Sequence, residues 1–345
     1  MLLGLLLLAT TVACSGTGPE SDGSGSDRGP AQARLDASGV RSFSFAAAGD
    51  LGATPHSTAF LERLDRTDAR FFLALGDLDY DNTPTDAAWC RYVKRHLPSK
   101  GDGFGFEVLV GNHEQDGGPD GRIDNFARCL PDRMGSVGRY GAQYAFTYPR
   151  RNPYAAFVLV SPNLTVAGHT YRYQRGTADR RWLVRQIDAA RDRGIRWVVV
   201  AMHYPCLTTG THGCDSGSGI VNLLVRKRVD LLLTGHNHVY ERSKQLRLRP
   251  GCERLGPRRY DRDCVVDAGG DGSYAKGRGT VQVTAGTVAG REQGFNRRDP
   301  SAPYFAVLDG ASTGFVHYTV SPTSLRARFL STGGTLRDAF AIVAR

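Results

Sequence analysis

The sequence lacks a dense block of basic residues interleaved with aromatic side chains, the pattern that is typical of nucleic-acid-binding surfaces. Its short basic tracts, residues 226–228 and the arginines scattered over residues 246–262, are diluted by other residue types. The chain also has no apparent internal repeat and no proline- or serine-rich linker after residue 40. These absences argue against specific nucleic-acid binding and a repeat architecture, and they predict that residues 41–345 form one domain.

The composition is ordinary for a globular protein, with 41% hydrophobic and 23% charged residues in a chain of 345. A chain of this length can bury a sizeable core. The formal net charge of +10 at pH 7 favours anionic partners such as phosphate esters, nucleic acid or acidic lipid headgroups. The same excess of basic residues is also compatible with a solvated surface that recognises no partner. Charge alone therefore leaves both interpretations open.

The first fourteen residues form a short apolar run that ends in small residues and a cysteine. Because this run is too short to span a bilayer, it predicts an export signal. Thr11-Val12-Ala13-Cys14 resembles the lipobox of bacterial lipoproteins, although no lysine or arginine precedes the run and leucine is commonest where Thr11 stands. Residues 15–40, rich in glycine and serine, predict a flexible tether. We therefore expect an exported protein, either anchored to the membrane by a lipid on Cys14 or secreted.

Six cysteines follow Cys14, an even number that suggests three disulfides in an exported chain. Six cysteines allow fifteen connectivities, and scattered free thiols are the alternative. Pairing each cysteine with its neighbour in the sequence closes three local loops. We therefore predict the pairs Cys90–Cys129, Cys206–Cys214 and Cys252–Cys264.

Short apolar runs rich in valine, phenylalanine and leucine predict strands that are buried on both faces. These runs are residues 43–48, 70–75, 106–110, 154–160, 196–202 and 229–234. Helical patterns cover residues 177–194 and 219–228. Three later segments, residues 280–286, 315–320 and 324–330, alternate more and predict antiparallel strands. The sequence therefore predicts an α/β chain with two sheets or one mixed sheet.

Five of the predicted strands are followed by side chains of types that bind metals, usually directly after a glycine. The segments are Gly49-Asp50, Gly76-Asp77 with Tyr80, Gly111-Asn112-His113, His203, and Gly235-His236-Asn237-His238. Since ligands bind beyond the carboxyl ends of strands in open α/β sheets, we expect these side chains to converge. Carboxylates and a phenolate suit a hard ion, whereas imidazoles and an amide oxygen suit zinc, manganese or divalent iron. The residue types therefore predict a two-metal centre with a bridging carboxylate.

This pattern resembles the calcineurin-like metallophosphoesterases, and in particular their purple acid phosphatase branch. The matching motifs are Gly49-Asp50-Leu51-Gly52, Gly76-Asp77 with Tyr80, Gly111-Asn112-His113-Glu114, Val200-Ala201-Met202-His203 and Gly235-His236-Asn237-His238. The resemblance implies two mixed β-sheets that pack as a sandwich flanked by helices. It also implies a metal-dependent phosphoric ester hydrolase.

The resemblance further implies a role for each position. A ferric ion would be held by Asp50, Asp77, Tyr80 and His238. A second ion, zinc, manganese or divalent iron, would be held by Asp77, Asn112, His203 and His236. His113 would contact the phosphate and help to protonate the leaving group, with a role in orienting its neighbours as the alternative. His212 would contact the substrate, with a plain surface position as the alternative.

The activity implied by the resemblance is hydrolysis of phosphate monoesters in small phosphorylated substrates. A metal-bound hydroxide would attack phosphorus in line. A phosphodiesterase or nucleotidase of the same fold is the alternative. A binding protein that kept the fold without activity is a third hypothesis, and the intact set of candidate ligands argues against it.

Overall fold

The computed structural model describes residues 1, 34–35, 41–290 and 294–344, with only the backbone of residues 34–35. The chain divides into two compact units, residues 1–31 and 32–345. Of the first unit only Met1 is described, so the predicted export signal and Cys14 lie outside the described residues. The described helices and strands belong to the second unit.

One large sheet contains strands from both ends of this unit. Its strands are β1 (Arg34–Leu35), β2 (Arg41–Ala48), β3 (Ala69–Ala74), β4 (Gly105–Val108), β15 (Ser273–Ala275), β18 (Gly314–Val320), β19 (Ser324–Ser331) and β20 (Leu336–Val343). The order is β15-β20-β19-β18-β2-β3-β4, with β1 paired to β2. Strands β2, β3 and β4 are parallel, whereas β18, β19 and β20 are antiparallel. The sheet is therefore mixed.

The other large sheet is built from the middle of the chain. Its strands are β5 (Val137–Arg139), β6 (Gln143–Tyr148), β7 (Ala155–Leu159), β10 (Trp197–Ala201), β11 (Leu231–Thr234), β12 (Tyr240–Ser243), β16 (Val281–Ala285) and β17 (Phe305–Asp309). The order is β17-β12-β16-β11-β10-β7-β6-β5, in which β7, β10, β11 and β16 are parallel. Two small ribbons pair β8 (Thr165–Val166) with β9 (His169–Thr170) and β13 (Gln245–Leu246) with β14 (Val265–Asp267).

The helices follow local signals in the sequence. They are α1 (Pro55–Asp65), α2 (Asp86–Arg95), α3 (Ile123–Cys129), α4 (Ala178–Asp192) and α5 (Ser218–Arg226), with 3₁₀ turns at Arg262–Cys264 and Ala302–Tyr304. Helix α4 begins after Thr177, whose side chain accepts a hydrogen bond from Arg180 N, and it ends before Gly194, where φ is +71°. Within the described ranges, we find no helix with the length and apolarity needed to cross a bilayer.

The two sheets pack face to face through large aromatic side chains. Phe157 of β7 contacts Phe45 of β2 and Phe71 of β3, with ring centroids 5.1 and 5.2 Å apart. The outer face of the first sheet is covered by α1, where Phe60 lies 5.2 Å from Phe72 of β3. Complete burial of one such side chain contributes about 1.5–3 kcal/mol to stability. The predicted fold, two mixed sheets in a sandwich flanked by helices, is confirmed.

The prediction of antiparallel pairing for residues 280–286 is wrong on one side of the strand. Strand β16 is parallel to β11 and antiparallel to β12. All of its residues are buried, including the polar Gln282 and Thr284. Gln282 Nε2 donates to Leu207 O at 2.7 Å, and Thr284 accepts a hydrogen bond from Thr234 at 3.0 Å. The alternation of polar residues thus reflects internal hydrogen bonds, not a solvent-facing side.

The predicted disulfides are confirmed. Cys90–Cys129 joins α2 to the end of α3, and Cys252–Cys264 closes a loop between β13 and β14. Cys206–Cys214 closes a loop between β10 and α5.

Candidate metal centre

The predicted site residues follow strands of both large sheets, rather than strands of one open sheet. Strands β2, β3 and β4 belong to one sheet, and β10 and β11 belong to the other. Backbone contacts join the two sheets here, since Gly49 N donates to Ala285 O at 2.8 Å. A Cβ on Gly235 would lie 2.9 Å from Asp50 Oδ2 and 3.0 Å from Leu75 O, so glycine at this position permits the close approach. The site therefore lies where the carboxyl ends of strands from the two packed sheets meet.

Four of the predicted ligands have a left-handed backbone. The φ angles are +60° at Asp50, +54° at Asp77, +59° at Tyr80 and +69° at His236. This conformation is uncommon for residues other than glycine, costs about 1–3 kcal/mol at each position and clusters at functional sites. The chain therefore turns abruptly after each strand, and the surrounding contacts hold these strained positions in place.

The first group of predicted ligands surrounds the hydroxyl of Tyr80. This hydroxyl lies 2.8 Å from Asp50 Oδ1, 3.2 Å from Asp77 Oδ2 and 3.0 Å from His238 Nε2. Asp50 and Asp77 are buried, with 0% and 2% of their surface exposed. The group thus brings two carboxylates, a phenol and an imidazole into mutual contact.

The second group of predicted ligands surrounds the imidazole of His203. Its Nε2 lies 3.2 Å from Asp77 Oδ1 and 3.1 Å from Asn112 Oδ1. Its Nδ1 lies 2.7 Å from Leu75 O, which can accept only from a protonated nitrogen. Donor atoms of Asp77, His203 and His236 all lie within 4.8 Å of one another. The two oxygens of Asp77 therefore face different groups, which is the position required of a bridging carboxylate.

The charges of the site fit a cation. Burial by itself would raise the pKa of Asp77, but the imidazoles of His203 and His113 outweigh this effect and hold that pKa well below its ordinary value. Burial would lower the pKa of His203, and the Asp77 carboxylate instead raises it to about 9. No described lysine or arginine is ion-paired with Asp50 or Asp77. Two buried carboxylates with imidazole and phenol partners form a donor set suited to metal ions.

Tyr80 adds to this argument. Burial and the nearby Asp50 and Asp77 carboxylates raise its pKa well above the ordinary value. The side chain therefore remains a phenol unless a cation compensates the charge of the phenolate. A residue in this position fits a highly charged metal ion.

The two predicted catalytic histidines lie beside the ligand groups. His113 is partly exposed, its backbone N donates to Asp77 Oδ1 at 3.1 Å, and its Nδ1 contacts Asp120. The ring of His212 lies 4.2 Å from that of His236, and this side chain is exposed. Both histidines thus border the ligand groups on their solvent-exposed side.

Several residues at the site were not predicted from the sequence. Asp120 contacts His113, and Asp215 Oδ2 lies 3.1 Å from His236 Nε2. Asn237, between the two histidines, accepts from His212 N at 2.8 Å and donates to His212 O at 3.3 Å. These partners are 7 to 25 positions apart in the chain, and no local spacing signals such contacts.

Comparison with known proteins identifies the family of this chain. The calcineurin-like phosphoesterase family model matches residues 43–240. Purple acid phosphatase 21 of Arabidopsis thaliana is 28% identical over 206 residues, covering 59% of this chain and 45% of the relative. The Fe(3+)-Zn(2+) purple acid phosphatase 12 of the same plant is 25% identical over 218 residues, covering 59% and 44%. The chain spans about half the length of the curated relatives that it matches.

A solved structure supports the same assignment at the level of the fold. The purple acid phosphatase PPD1 of yellow lupin (Lupinus luteus) superposes with a TM-score of 0.61 at 16% identity. The superposition covers 88% of this chain and 54% of the lupin chain. Since the family model matches more than half of the sequence, the chain belongs to the calcineurin-like phosphoesterase family, in the branch that resembles the purple acid phosphatases.

Proposed function

We propose that this protein hydrolyses phosphate monoesters at a dinuclear metal centre. The observation that carries the proposal is the placement of Asp77, with Oδ2 3.2 Å from the Tyr80 hydroxyl and Oδ1 3.2 Å from His203 Nε2. A carboxylate shared by two donor groups would suit a pair of metal ions. Family membership and the similarity to purple acid phosphatases support the same reaction.

The proposal assigns each donor group to one ion. Ferric iron would be held by Asp50, Asp77, Tyr80 and His238. Zinc, manganese or divalent iron would be held by Asp77, Asn112, His203 and His236. The relative named for Fe(3+) and Zn(2+) supports this choice. When bound, such ions would neutralise the phosphate oxygens and supply a nucleophile by lowering the pKa of water.

Two histidines on the solvent-exposed side of the site would take part in the reaction. His113 Nε2 lies 3.6 Å from Asp77 Oδ2, while its Nδ1 contacts Asp120. A carboxylate on Nδ1 orients the ring, and in the imidazolium form, which carries an N–H on both nitrogens, Nε2 would donate its proton to the leaving oxygen. His212 would contact a phosphate oxygen. Its backbone is tied to Asn237 by two hydrogen bonds, so the loop that carries it is fixed relative to the two ligand histidines.

The choice between a monoesterase and a diesterase can be tested directly. The metal-loaded protein should hydrolyse p-nitrophenyl phosphate with a kcat/KM at least tenfold above that for bis(p-nitrophenyl) phosphate. The reverse preference would support the phosphodiesterase alternative. If the protein held two ions and cleaved neither ester, the catalytic proposal would fail and a binding role would replace it.

We also propose that the protein is exported, with residues 1–14 as the signal, 15–40 as the tether and 41–345 as the catalytic domain. The three disulfides support an oxidising compartment. Lipidation at Cys14 would anchor the chain to the cell membrane. Cys14→Ser should shift the protein from the membrane fraction to the soluble fraction. Equal membrane fractions for both proteins would overturn the anchor.

A further inference from the structure

The ring of His236 is held by a residue that none of the motifs contains. Its Nε2 lies 3.1 Å from Oδ2 of Asp215. Its backbone N donates to Asp50 Oδ2 at 2.8 Å, so a predicted ligand fixes the main chain of His236, and a carboxylate that is not among the predicted ligands contacts its ring. A donor atom of His236 also lies within 4.8 Å of donors on Asp77 and His203. The imidazole is thus placed between the second ligand group and Asp215.

Asp215 itself is held in position by its surroundings. Its backbone O accepts from Asn163 Nδ2 at 2.7 Å. The preceding residue, Cys214, is bonded to Cys206 and accepts a backbone hydrogen bond from Gly217 at 3.0 Å. The Asp215 carboxylate is therefore presented by a cross-linked turn rather than by a free loop.

The loop that carries Asp215 also forms hydrogen bonds with residues that follow His236 in the chain. Asn237, the next residue, forms two hydrogen bonds with the backbone of His212. Glu241 accepts from both Thr209 N and Thr209 Oγ1 at 2.6 Å. The segment that carries Asp215 and the segment that carries His236 are consequently joined at two points besides the contact between Asp215 and His236.

The contact has a chemical consequence for a metal ligand. A neutral imidazole carries one N–H, and only its other nitrogen has a lone pair for an ion. An acceptor on Nε2 places the N–H there and leaves the lone pair on Nδ1. His203 shows the opposite arrangement, since Leu75 O lies 2.7 Å from its Nδ1. Carboxylate and carbonyl partners of this kind orient ligand histidines and increase their basicity, and their loss costs about 10–100-fold in metal affinity.

We propose that Asp215 is a positioning residue that fixes the ring and the tautomer of His236 at the second metal site. The proposal rests on the dinuclear centre of the proposed function. The proposal concerns the second metal site, because Asp215 contacts His236, a predicted ligand of the second ion.

The test measures zinc affinity rather than activity. Asp215→Asn keeps the shape of the side chain but weakens it as an acceptor, and Asp215→Glu retains the carboxylate. Asp188→Asn is the matched control, because Asp188 is 43% exposed and Asp215 is 44% exposed, and Asp188 pairs with Lys227 on the surface. The dissociation constant of zinc is measured by competition with a chelator in protein that already holds iron, and the iron content is measured in parallel.

We expect D215N to bind zinc 10–100-fold more weakly than wild type, with unchanged iron content and unchanged KM at saturating zinc. D215E should recover most of the affinity, and D188N should match wild type. If D215N binds zinc as tightly as D188N does, or if zinc and iron are lost in parallel, the positioning role is overturned. If the wild-type protein binds no second ion at all, the proposed function fails first, and that result is distinguishable from the others.

Discussion

The backbone N of His236 donates a hydrogen bond to Oδ2 of Asp50, 2.8 Å away, although the two residues are 186 positions apart. The bond links the turn after β2 to the turn after β11, and therefore joins the two sheets at the site. The bond uses Oδ2 of Asp50, whereas Oδ1 of the same carboxylate faces the Tyr80 hydroxyl, 2.8 Å away. The site is thus built partly from main-chain contacts that fix the predicted ligands before any ion binds.

Asp77→Asn should reduce the metal content from two ions to fewer than one per chain. The reason is that both oxygens of Asp77 face donor groups, and an amide can neither bridge two cations nor supply the negative charge. Metal analysis after dialysis checks this. Asp79→Asn is the control, since Asp79 is also buried but its Oδ2 accepts from Thr83. Two ions retained in Asp77→Asn would contradict the bridging role.

Tyr80→Phe should abolish the visible absorption band of the iron-loaded protein. We expect this band because a phenolate next to ferric iron transfers charge to the metal, and the Tyr80 hydroxyl lies within 3.2 Å of Asp50, Asp77 and His238. Tyr204→Phe is the control. The ring of Tyr204 lies 4.6 Å from the ring of His236, which belongs to the second group of predicted ligands. Loss of the Tyr204 hydroxyl should therefore leave the absorption band in place. An unchanged spectrum for Tyr80→Phe would show that Tyr80 is not a ligand.

Glu107→Gln should make the free energy of unfolding less dependent on pH. Burial raises the pKa of Glu107 from 4.5 to about 8, so the folded protein retains a proton that the unfolded chain releases above pH 4.5. Wild-type stability should therefore fall between pH 4.5 and 8, by about 1.4 kcal/mol per pH unit from this group. The variant should consequently be more stable than wild type at pH 8, with little difference near pH 5.

Urea unfolding at pH 5 and pH 8 measures this effect. Glutamine can accept the hydrogen bond that Arg133 N donates to Glu107 Oε1 at 3.0 Å, so the substitution preserves the contact. Glu253→Gln is the control, since that side chain is exposed. Identical pH slopes for wild type and Glu107→Gln would mean that Glu107 is ionised in the folded protein.

Replacing Cys206 and Cys214 by serine should lower both stability and activity. Opening a loop with a sequence separation of 8 costs about 2–3 kcal/mol in free energy of unfolding. Activity should also fall, because the same loop carries His212 and leads into Asp215. The measurements are urea unfolding and kcat/KM for p-nitrophenyl phosphate.

The matched control is the serine pair at Cys252 and Cys264, which closes a loop with a sequence separation of 12. This loop contains none of the candidate site residues, so its opening should lower stability by a similar amount while activity at 25 °C is retained. Equal losses of activity in both double variants would indicate a general effect of destabilisation rather than a role for the loop that carries His212.

The sequence by itself determined which side chains follow which strands. The apolar runs before Asp50, Asp77 and His203 are continuous because their strands are buried on both faces. Glycines mark the turns before Asp50 and Asp77. Local sequence patterns likewise predicted helix α4 and the disulfide pairs. The prediction for β16 failed, because Gln282 and Thr284 are buried and form hydrogen bonds with residues of other segments.

Only the tertiary structure decided the distances and contacts at which the candidate ligands meet. The two-sided position of Asp77, the left-handed turns and the contact between Asp215 and His236 depend on atoms that lie far apart in the chain. Residue spacing carries no information on such contacts, because they arise when two sheets pack and bring separate turns together. The pattern of residue types therefore predicted the chemistry, whereas the packing of the sheets set its geometry.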